Sequence, residues 1–486
     1  MSRVLENLEP KPLWNIFEDI CNIPHPSKKE EKIIEYAKNF GEKLGLETIV
    51  DHVGNVIIRK PATPGMEDRQ GIILQGHLDM VPQKNNDTQH DFEKDPIKPW
   101  IDGEWVKAKG TTLGADNGIG AAAALAVLQA NDLEHGPIEV LLTIDEETGM
   151  TGAFELKGGL LKGDILINLD SEDEGELYIG CAGGIDTFAT IKYKEKSVPE
   201  GHVGYKVEVK GLKGGHSGLD INLGRGNANK ILNRVLWQAN QEMGMELSSI
   251  VGGSLRNAIP REAHAVVTLP KESAGAFEKF VADLETTVKK ELGNVDPDLS
   301  LKATKMQKPE FIINKKTTKN LLNVIYACPN GTMRMISDMP GVVETSTNMA
   351  IIKSADGKIE IATLQRSSVD SAKDDLANMM RATFKMAGAK VKQSGSYPGW
   401  KPNVNSPILK AMKDVYQNKY GKVPAQKVIH AGLECGILGG NYPGLDMISF
   451  GPTIRNPHSP DEKVNIATVG LFWDYLVETL KNAPKK

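Results

Sequence analysis

Two histidines and a group of carboxylates stand out because most of them sit where a short apolar run ends. His77 and Asp79 follow Gly71–Gly76 in the string GHLDM. Glu146 and Glu147 follow Ile138–Ile144, Asp170 closes Ile165–Leu169, and His458 follows Met447–Gly451 after a short loop. Asp116 differs, lying in the loop that opens an alanine-rich helix. Two imidazoles and several carboxylates, with no thiolate, make a ligand set for zinc, manganese or cobalt. A bridging aspartate can hold two such ions ~3.5–4 Å apart. With Asp116, Glu147 and Asp170 ionised and both histidines neutral, three negative charges face the four positive charges of two divalent ions. The residual positive charge acidifies a bridging water. Asp79, two residues after His77, is placed to accept the other ring N–H and fix its tautomer. Of the Glu146–Glu147 pair, one can ligate while the other stays free as a general base.

Taken singly, each residue has an ordinary explanation. An H-x-D pair is commonly a cap, a glutamate doublet a solvated face, and an aspartate before a helix a cap. Their joint placement argues otherwise. Open α/β sheets carry their sites at the carboxyl ends of parallel strands, so residues spread over nearly the whole chain can converge.

The elements that must position them read as follows. Amphipathic helices are expected at Pro12–Cys21 and Lys28–Leu44, the second with Ser27 as its cap. Strands are expected at Thr48–Asp51, Asn55–Arg59 and Gly71–Gly76, and a helix at Gly118–Ala130. Ile138–Ile144 and Ile165–Leu169 read as buried parallel strands, and Leu177–Cys181 as a short one. From about Thr187 the pattern changes. Tyr205–Leu212, Ala228–Gln241, Ser249–Arg256, Glu262–Leu269, Ala274–Leu292 and Leu299–Thr304 follow the β-α-β-β-α-β order of a ferredoxin-like unit. Much of it then repeats: a helix at Thr317–Ala327, strands Val342–Ile352 and Lys358–Gln365 around the hairpin signal Ala355-Asp356-Gly357, a helix at Asp370–Ala387 and a strand at Lys390–Gln393. After Pro398-Gly399-Trp400 the α/β style returns, with a helix at Pro407–Lys419, strands Lys427–His430 and Met447–Gly451, and a last helix at Ile466–Leu480. The expected organisation is one α/β domain in two parts, 1–186 and 398–486, with a doubled α+β domain, 187–397, inserted between them.

Composition narrows the class. The 486 residues include 58 Lys and Arg against 63 Asp and Glu, a net charge of −5, with 40% hydrophobic and 25% charged residues. That is ordinary for a globular protein and excludes disorder, collagen and a coiled-coil rod. It lacks the basic excess of a dedicated nucleic-acid binder. Cys21, Cys181, Cys328 and Cys435 lie far apart with no C-x-x-C pair, which excludes zinc-finger and thioredoxin readings and favours reduced, buried thiols. The first residues lack the basic and apolar regions of a signal peptide. The most apolar window, Ile119–Leu128, is too short to span a bilayer. A soluble, cytoplasmic protein that does not engage membranes is expected. Gly118 and Gly120 stand in a G-x-G-x-x-A string before a helix, with Asp145 downstream. The preceding Thr111–Ala115 is no apolar strand, however, so the dinucleotide-binding context fails. These glycines are expected instead to let backbone approach Asp116 closely.

The strings GHLDMVPQKNNDTQHDFEKDPI, KGTTLGADNGIG, LLTIDEETGM, ILINLDSEDEGE, CAGGID, LKGGHSG, LRNAIPREA, YPGW, IHAGLECG and GPTIRNPHSPDE span the chain. Together they resemble the di-zinc exopeptidase family, and within it the aminoacyl-histidine (Xaa-His, carnosinase-like) dipeptidases. The family also holds peptidase T, aminoacylases and succinyl-diaminopimelate desuccinylase. The resemblance implies a zinc-exopeptidase-like mixed sheet flanked by helices, with an inserted lid of two ferredoxin-like repeats. It implies two divalent metal ions per chain, zinc being expected with cobalt or manganese able to substitute. His77, Asp116, Glu147, Asp170 and His458 would be ligands, with Asp116 bridging: His77 and Asp170 serve one ion, Glu147 and His458 the other. Glu146 would be the general base and Asp79 the carboxylate that orients His77. His216 would stabilise the oxyanion, Asn257 and Arg366 would hold the substrate backbone and terminal carboxylate, and Gly432 would line the pocket through its backbone. One departure is that the string at the bridging aspartate reads D-N-G rather than the D-D-K of shorter relatives. The implied activity is hydrolysis of unblocked dipeptides, Xaa-His and β-Ala-His among them, by a homodimer. The alternatives are a related amidohydrolase, such as an N-acyl amino-acid deacylase or tripeptidase, and a non-catalytic metal- or peptide-binding protein that keeps the fold.

Overall fold

The computed structural model describes residues 3–486; Met1 and Ser2, at the head of the first expected domain segment, lie outside them. The chain divides into two compact units. One runs through Gly180 and continues over Trp400–Val428 and Leu433–Lys486; the other comprises Cys181–Gly399 and Ile429–Gly432. The divisions fall at 180/181 and 399/400 rather than at 186/187 and 397/398, and 429–432 joins the second unit. The physical reason is the strand Gly183–Lys192, which pairs along its length with Lys358–Ser367 and so belongs to the second unit's sheet. Its glycine-rich start, CAGGID, hides it from a pattern reading.

The first unit is built on an eight-stranded mixed sheet, in the order Glu47–Val50, Val56–Lys60, Ile138–Thr143, Ile72–His77, Ile165–Asn168, Asp446–Ser449, Glu176–Cys181 and Ala425–Ile429. Ile138–Thr143, Ile72–His77, Ile165–Asn168 and Asp446–Ser449 run parallel to their neighbours in this series. The first three are buried at every residue, as expected of central parallel strands covered on both faces. The helix Ala115–Gln129 is almost wholly buried, and its alanines allow close approach. It packs against Lys11–Cys21, whose buried Leu13, Trp14, Phe17 and Ile20 recur at helical spacing. The helix Glu31–Lys43 starts without a side-chain cap. Ser27 therefore does not cap it, and its hydroxyl goes elsewhere. A further four-stranded sheet, Ile454–Arg455, Lys463–Asn465, Trp105–Ala108 and Pro99–Asp102, has strands too short to show in a hydropathy pattern. It holds both ends of the loop that carries His458.

The second unit has one nine-stranded sheet. Ser300–Met306, His202–Lys210, Ala263–Pro270 and Glu246–Gly252 lie side by side, followed by Val343–Ala355, Lys358–Ser367, Gly183–Lys192 and Lys390–Tyr397, with Gly331–Met335 pairing on Val343–Ala355. Each run of four has the strand order 4-1-3-2 of a ferredoxin-like unit, counted in chain order within its own half, the second run mirrored. In the second half the first strand is Gly183–Lys192, and the whole first half is inserted between it and the helix Lys315–Ala327. The halves join where Val251 and Gly252 pair with Lys353 and Ile352. Leu232, Phe277, Leu321 and Phe384, from four helices, share one apolar cluster with sheet residues such as Val207, Val267 and Ile361. At the expected hairpin, Ala355 pairs with Lys358, and Asp356 (φ 48°) and Gly357 (φ 71°) are both left-handed, as a tight two-residue turn requires.

Candidate active site

At the carboxyl ends of the parallel strands the first unit brings seven expected residues together. His77 ends its strand and is buried. Asp170 lies just past Ile165–Asn168, and its N–H donates to the Asn168 side chain at 3.3 Å. Glu146 and Glu147 open a single helical turn after the strand Ile138–Thr143, at a corner formed by left-handed Asp145 (φ 50°). His458 is itself left-handed (φ 57°) in the loop between the two shortest strands of the small sheet.

Asp116 holds the centre. Its backbone leaves helical geometry (φ −86°, ψ 104°) at the start of Ala115–Gln129. One carboxylate oxygen, Oδ1, lies 3.2 Å from His77 Nε2; the other, Oδ2, lies 3.3 Å from His458 Nε2. His77 Nε2 is also 3.5 Å from Asp170 Oδ1, and His458 Nε2 is 2.9 Å from Glu147 Oε2. The result includes two groups of possible metal ligands that share Asp116, His77–Asp116–Asp170 and Asp116–Glu147–His458, and a third, His77–Glu146–Glu147, overlaps both.

Close backbone approach makes this possible. A Cβ on Gly120 would stand 2.5 Å from the Leu169 carbonyl oxygen, and the Asn117 amide donates to that same oxygen at 2.7 Å. Gly120 thus lets the helix reach the strand end that carries Asp170, and Gly118 meets the Phe17 ring, so the close approaches are to these neighbours rather than to Asp116.

The electrostatics ask for positive charge. Burial opposes a charge on His77, but the carboxylates of Asp170, Asp116 and Asp79 outweigh it and push the imidazole well above its usual range. Hydrogen bonds to Asp116 and Glu147 raise His458 to about 11. Burial, with Asp116 adding to it and His77 opposing, pushes the Asp170 carboxyl well up. Burial likewise raises Glu146 well above the usual carboxylate range, with His77 opposing and Asp170, Glu434 and Glu147 adding. Glu147 Oε1 and Asp170 Oδ1 are buried without a hydrogen-bond partner. Carboxylate oxygens left without a hydrogen-bond partner beside imidazole nitrogens make a ligand set that fits divalent ions.

Asp79 does more than face His77. His77 Nδ1 lies 3.0 Å from the Asp79 carbonyl oxygen and 3.4 Å from its carboxylate. That carboxylate also accepts the backbone N–H of Glu146 at 2.9 Å, that of Glu147 at 3.2 Å and the Ser27 hydroxyl at 2.8 Å. One buried group therefore orients the histidine and the glutamate pair together. Glu30, Asp79 and Asp145 form another acidic cluster, but internal donors occupy it. The hydroxyls of Thr148 and Thr151 bond Asp145, and the N–H groups of Lys28 and Asp145 bond Glu30.

Three further residues serve the site: Ser27, expected as a helix cap, and Glu434 and Glu462, which the sequence does not single out. Glu434 is buried and accepts from Gln75 Nε2 at 2.6 Å and Thr143 Oγ1 at 2.8 Å. Asn168 Nδ2 donates to Gln75 Oε1, and Ser449 Oγ to Asn168 Oδ1. This polar row crosses four adjacent strands, two residues before His77 and Asp170. Burial raises the Glu434 carboxyl to about 7, with His77, Thr143 and Gln75 opposing. The available signal was a polar residue inside each apolar run.

The remaining expected residues lie in the second unit. His216, in the short strand Gly215–His216, accepts the N–H groups of Gly218 and Leu219 at Nδ1, at 3.2 and 3.0 Å. Its proton therefore sits on Nε2, which faces Arg366 Nη2 at 3.4 Å. Two donors side by side suit an oxygen acceptor. Burial and Arg366 lower the His216 pKa, which keeps the ring neutral. Arg366 Nη1 also donates to the Tyr397 hydroxyl at 3.0 Å. Asn257 is exposed, and its carbonyl accepts the Ser217 N–H at 2.8 Å. Gly432 ends the segment Ile429–Gly432, where the carbonyls of Ile429 and Ala431 accept the Ala182 N–H.

Comparison with known proteins agrees with this geometry. Residues 73–482 match the model of peptidase family M20/M25/M40. The chain is 49% identical over 482 residues to the cytosol non-specific dipeptidase of Escherichia coli (strain K12), covering 99% of both proteins. It superposes on the crystal structure of aminoacylhistidine dipeptidase from Vibrio alginolyticus with a TM-score of 0.97 and 50% identity, over 100% of this chain and 99% of that one. A tripeptidase from Staphylococcus aureus shares the fold at a TM-score of 0.56 and 17% identity, over 98% of each chain. The carboxylate–histidine cluster, the sheet that assembles it and the match across 73–482 lead to one conclusion: this chain belongs to peptidase family M20/M25/M40.

Proposed function

We propose that this chain is a metal-dependent dipeptidase acting on unblocked dipeptides, with Xaa-His substrates, β-Ala-His included, among them. The observation that carries the reading is the Asp116 carboxylate, whose two oxygens each face a different histidine, at 3.2 and 3.3 Å. In this reading His77 and Asp170 would hold one divalent ion and Glu147 and His458 the other, with Asp116 serving both. Zinc is the metal the family resemblance implies; imidazole and carboxylate ligands without thiolate suit cobalt or manganese as well. Such a pair, when bound, supplies Lewis acidity and lowers the pKa of water.

Glu146 is the general base. It takes one proton from the attacking water as the new C–O bond forms at the scissile carbonyl. It returns that proton to the leaving amine as the C–N bond breaks. Desolvation first, and then its acidic neighbours, raise its carboxyl, which suits it to hand the proton on. Asp79 orients His77 and holds the Glu146 backbone. His216, Asn257, Arg366 and Gly432 are assigned to the substrate, the guanidinium to its terminal carboxylate. The whole-chain likeness to two dipeptidases favours this activity over amidohydrolase or tripeptidase alternatives, since the likeness to the tripeptidase is one of fold. The retained Glu146 and ligand set weigh against a non-catalytic protein. The second unit is read as a lid of two repeats, and the working form as a cytoplasmic homodimer; a cytosol dipeptidase among the relatives supports the compartment. No helix among the described residues is long and apolar enough to cross a membrane.

The test is a metal count per chain, combined with hydrolysis of an Xaa-His dipeptide before and after chelation. Two ions per chain, with activity lost on chelation and restored by zinc, is the expected result. Full activity in metal-free protein would overturn the reading.

A further inference from the structure

Glu462 lies four residues after His458, in the same loop, and is 2% exposed. Its Oε2 accepts the N–H groups of Leu113 and Gly114 at 2.7 and 2.9 Å, and its Oε1 those of Ala115 and Asp116 at 2.8 and 3.3 Å. Four consecutive backbone donors thus converge on one side chain. They converge because Gly114 is left-handed (φ 73°), which curls the chain into an anion-holding concavity. Without the carboxylate, these buried N–H groups would lose their acceptor. The fourth donor belongs to Asp116, where the backbone leaves helical geometry.

The 456–462 loop therefore grips the 113–116 segment at two points. Glu462 takes its backbone, and His458 Nε2 meets the Asp116 side chain at 3.3 Å. The loop is closed at its base by the pairs Ile454–Val464 and Arg455–Lys463. We propose that Glu462 is a positioning residue that sets the carboxylate of Asp116 and ties the His458 loop to it, so that both ion positions depend on it. The inference rests on the reading of Asp116 and His458 as metal ligands.

Glu462→Gln tests it. The amide turns one accepting oxygen into a donor, so two of the four N–H groups lose their partner. Co2+ is titrated into the metal-free wild type and variant, followed by calorimetry and by the visible absorption of the bound cobalt. The expected result is two ions in the wild type and, in the variant, at least one ion bound about 10–100-fold more weakly with a changed spectrum. The kcat of the variant falls while KM stays near wild type. Glu462→Asp keeps the charge and both acceptors on a shorter stem and should recover part of the affinity; it carries the same readouts where the glutamine variant fails to fold. Two ions bound to the variant with wild-type affinity and spectrum would overturn the inference even if thermal stability fell, since that pattern marks a purely structural role. A wild type that binds fewer than two ions would overturn the underlying metal reading and this inference with it.

Discussion

Replacing Asp79 with Asn exchanges one buried carboxylate oxygen for an amide nitrogen and should disturb both histidine and glutamate sides of the site. Burial alone would raise the Asp79 carboxyl. The His77 ring, the Glu146 N–H and the Ser27 hydroxyl outweigh it and bring the group from 3.8 down to about 2. At ~1.4 kcal/mol per pKa unit, that depression corresponds to about 2 kcal/mol in the metal-free protein. A depressed folded-state value stabilises above the unfolded value, near ~3.9, and the benefit disappears as pH falls through about 2. Asparagine carries no such charge, and its amide must face Glu146 N–H or Glu147 N–H, donor against donor. Metal-free Asp79→Asn should therefore be about 2 kcal/mol less stable than wild type at pH 7, with the gap narrowing below pH ~4. Urea denaturation of both chelated proteins at pH 7 and near pH ~2.5 measures this. In the metal-loaded proteins, affinity or kcat/KM should drop about 10–100-fold. Equal stability at pH 7, or a gap that does not shrink in acid, would refute the argument that the Asp79 charge braces the site.

Glu146→Ala should lower kcat by at least about 10²–10⁴-fold while both metals stay bound, checked by turnover and a metal count on the same sample; near-wild-type turnover would remove its role as base. Phe17→Ala empties a fully buried ring position against the helix that begins at the site, since a Cβ on Gly118 would come within 3.0 Å of that ring. Its expected cost is about 3–5 kcal/mol, seen as a lowered Tm, and a loss below about 1 kcal/mol would mean the packing there relaxes freely.

The sequence by itself determined the parallel strands and the residues at their ends. Ile72–His77, Ile138–Thr143 and Ile165–Asn168 are apolar runs because both their faces are buried, and a chain leaving such a run must turn at the sheet's edge. That is enough to place His77, Glu146, Glu147 and Asp170 near one another. The repeated helix and strand periodicities were likewise enough to suggest two similar halves in the second unit. Other features had no local signal. Gly183–Lys192 begins in glycines, and its partners come from more than a hundred residues later. The small sheet that frames His458 has strands of two to four residues, too short for any period to show.

Ser27, Glu434 and Glu462 are polar residues whose type predicts exposure or capping. Only folding buries Glu434 and Glu462 and surrounds all three with the donors and acceptors they bond. The same holds for Asp116. Its identity is legible in ADNG, but the direction of each carboxylate oxygen depends on a backbone held by Glu462 from 346 residues away in the chain. Local sequence specifies which groups can ligate or titrate. Long-range hydrogen bonds and close backbone packing decide the angles and distances at which they meet, because those depend on partners the local sequence does not contain.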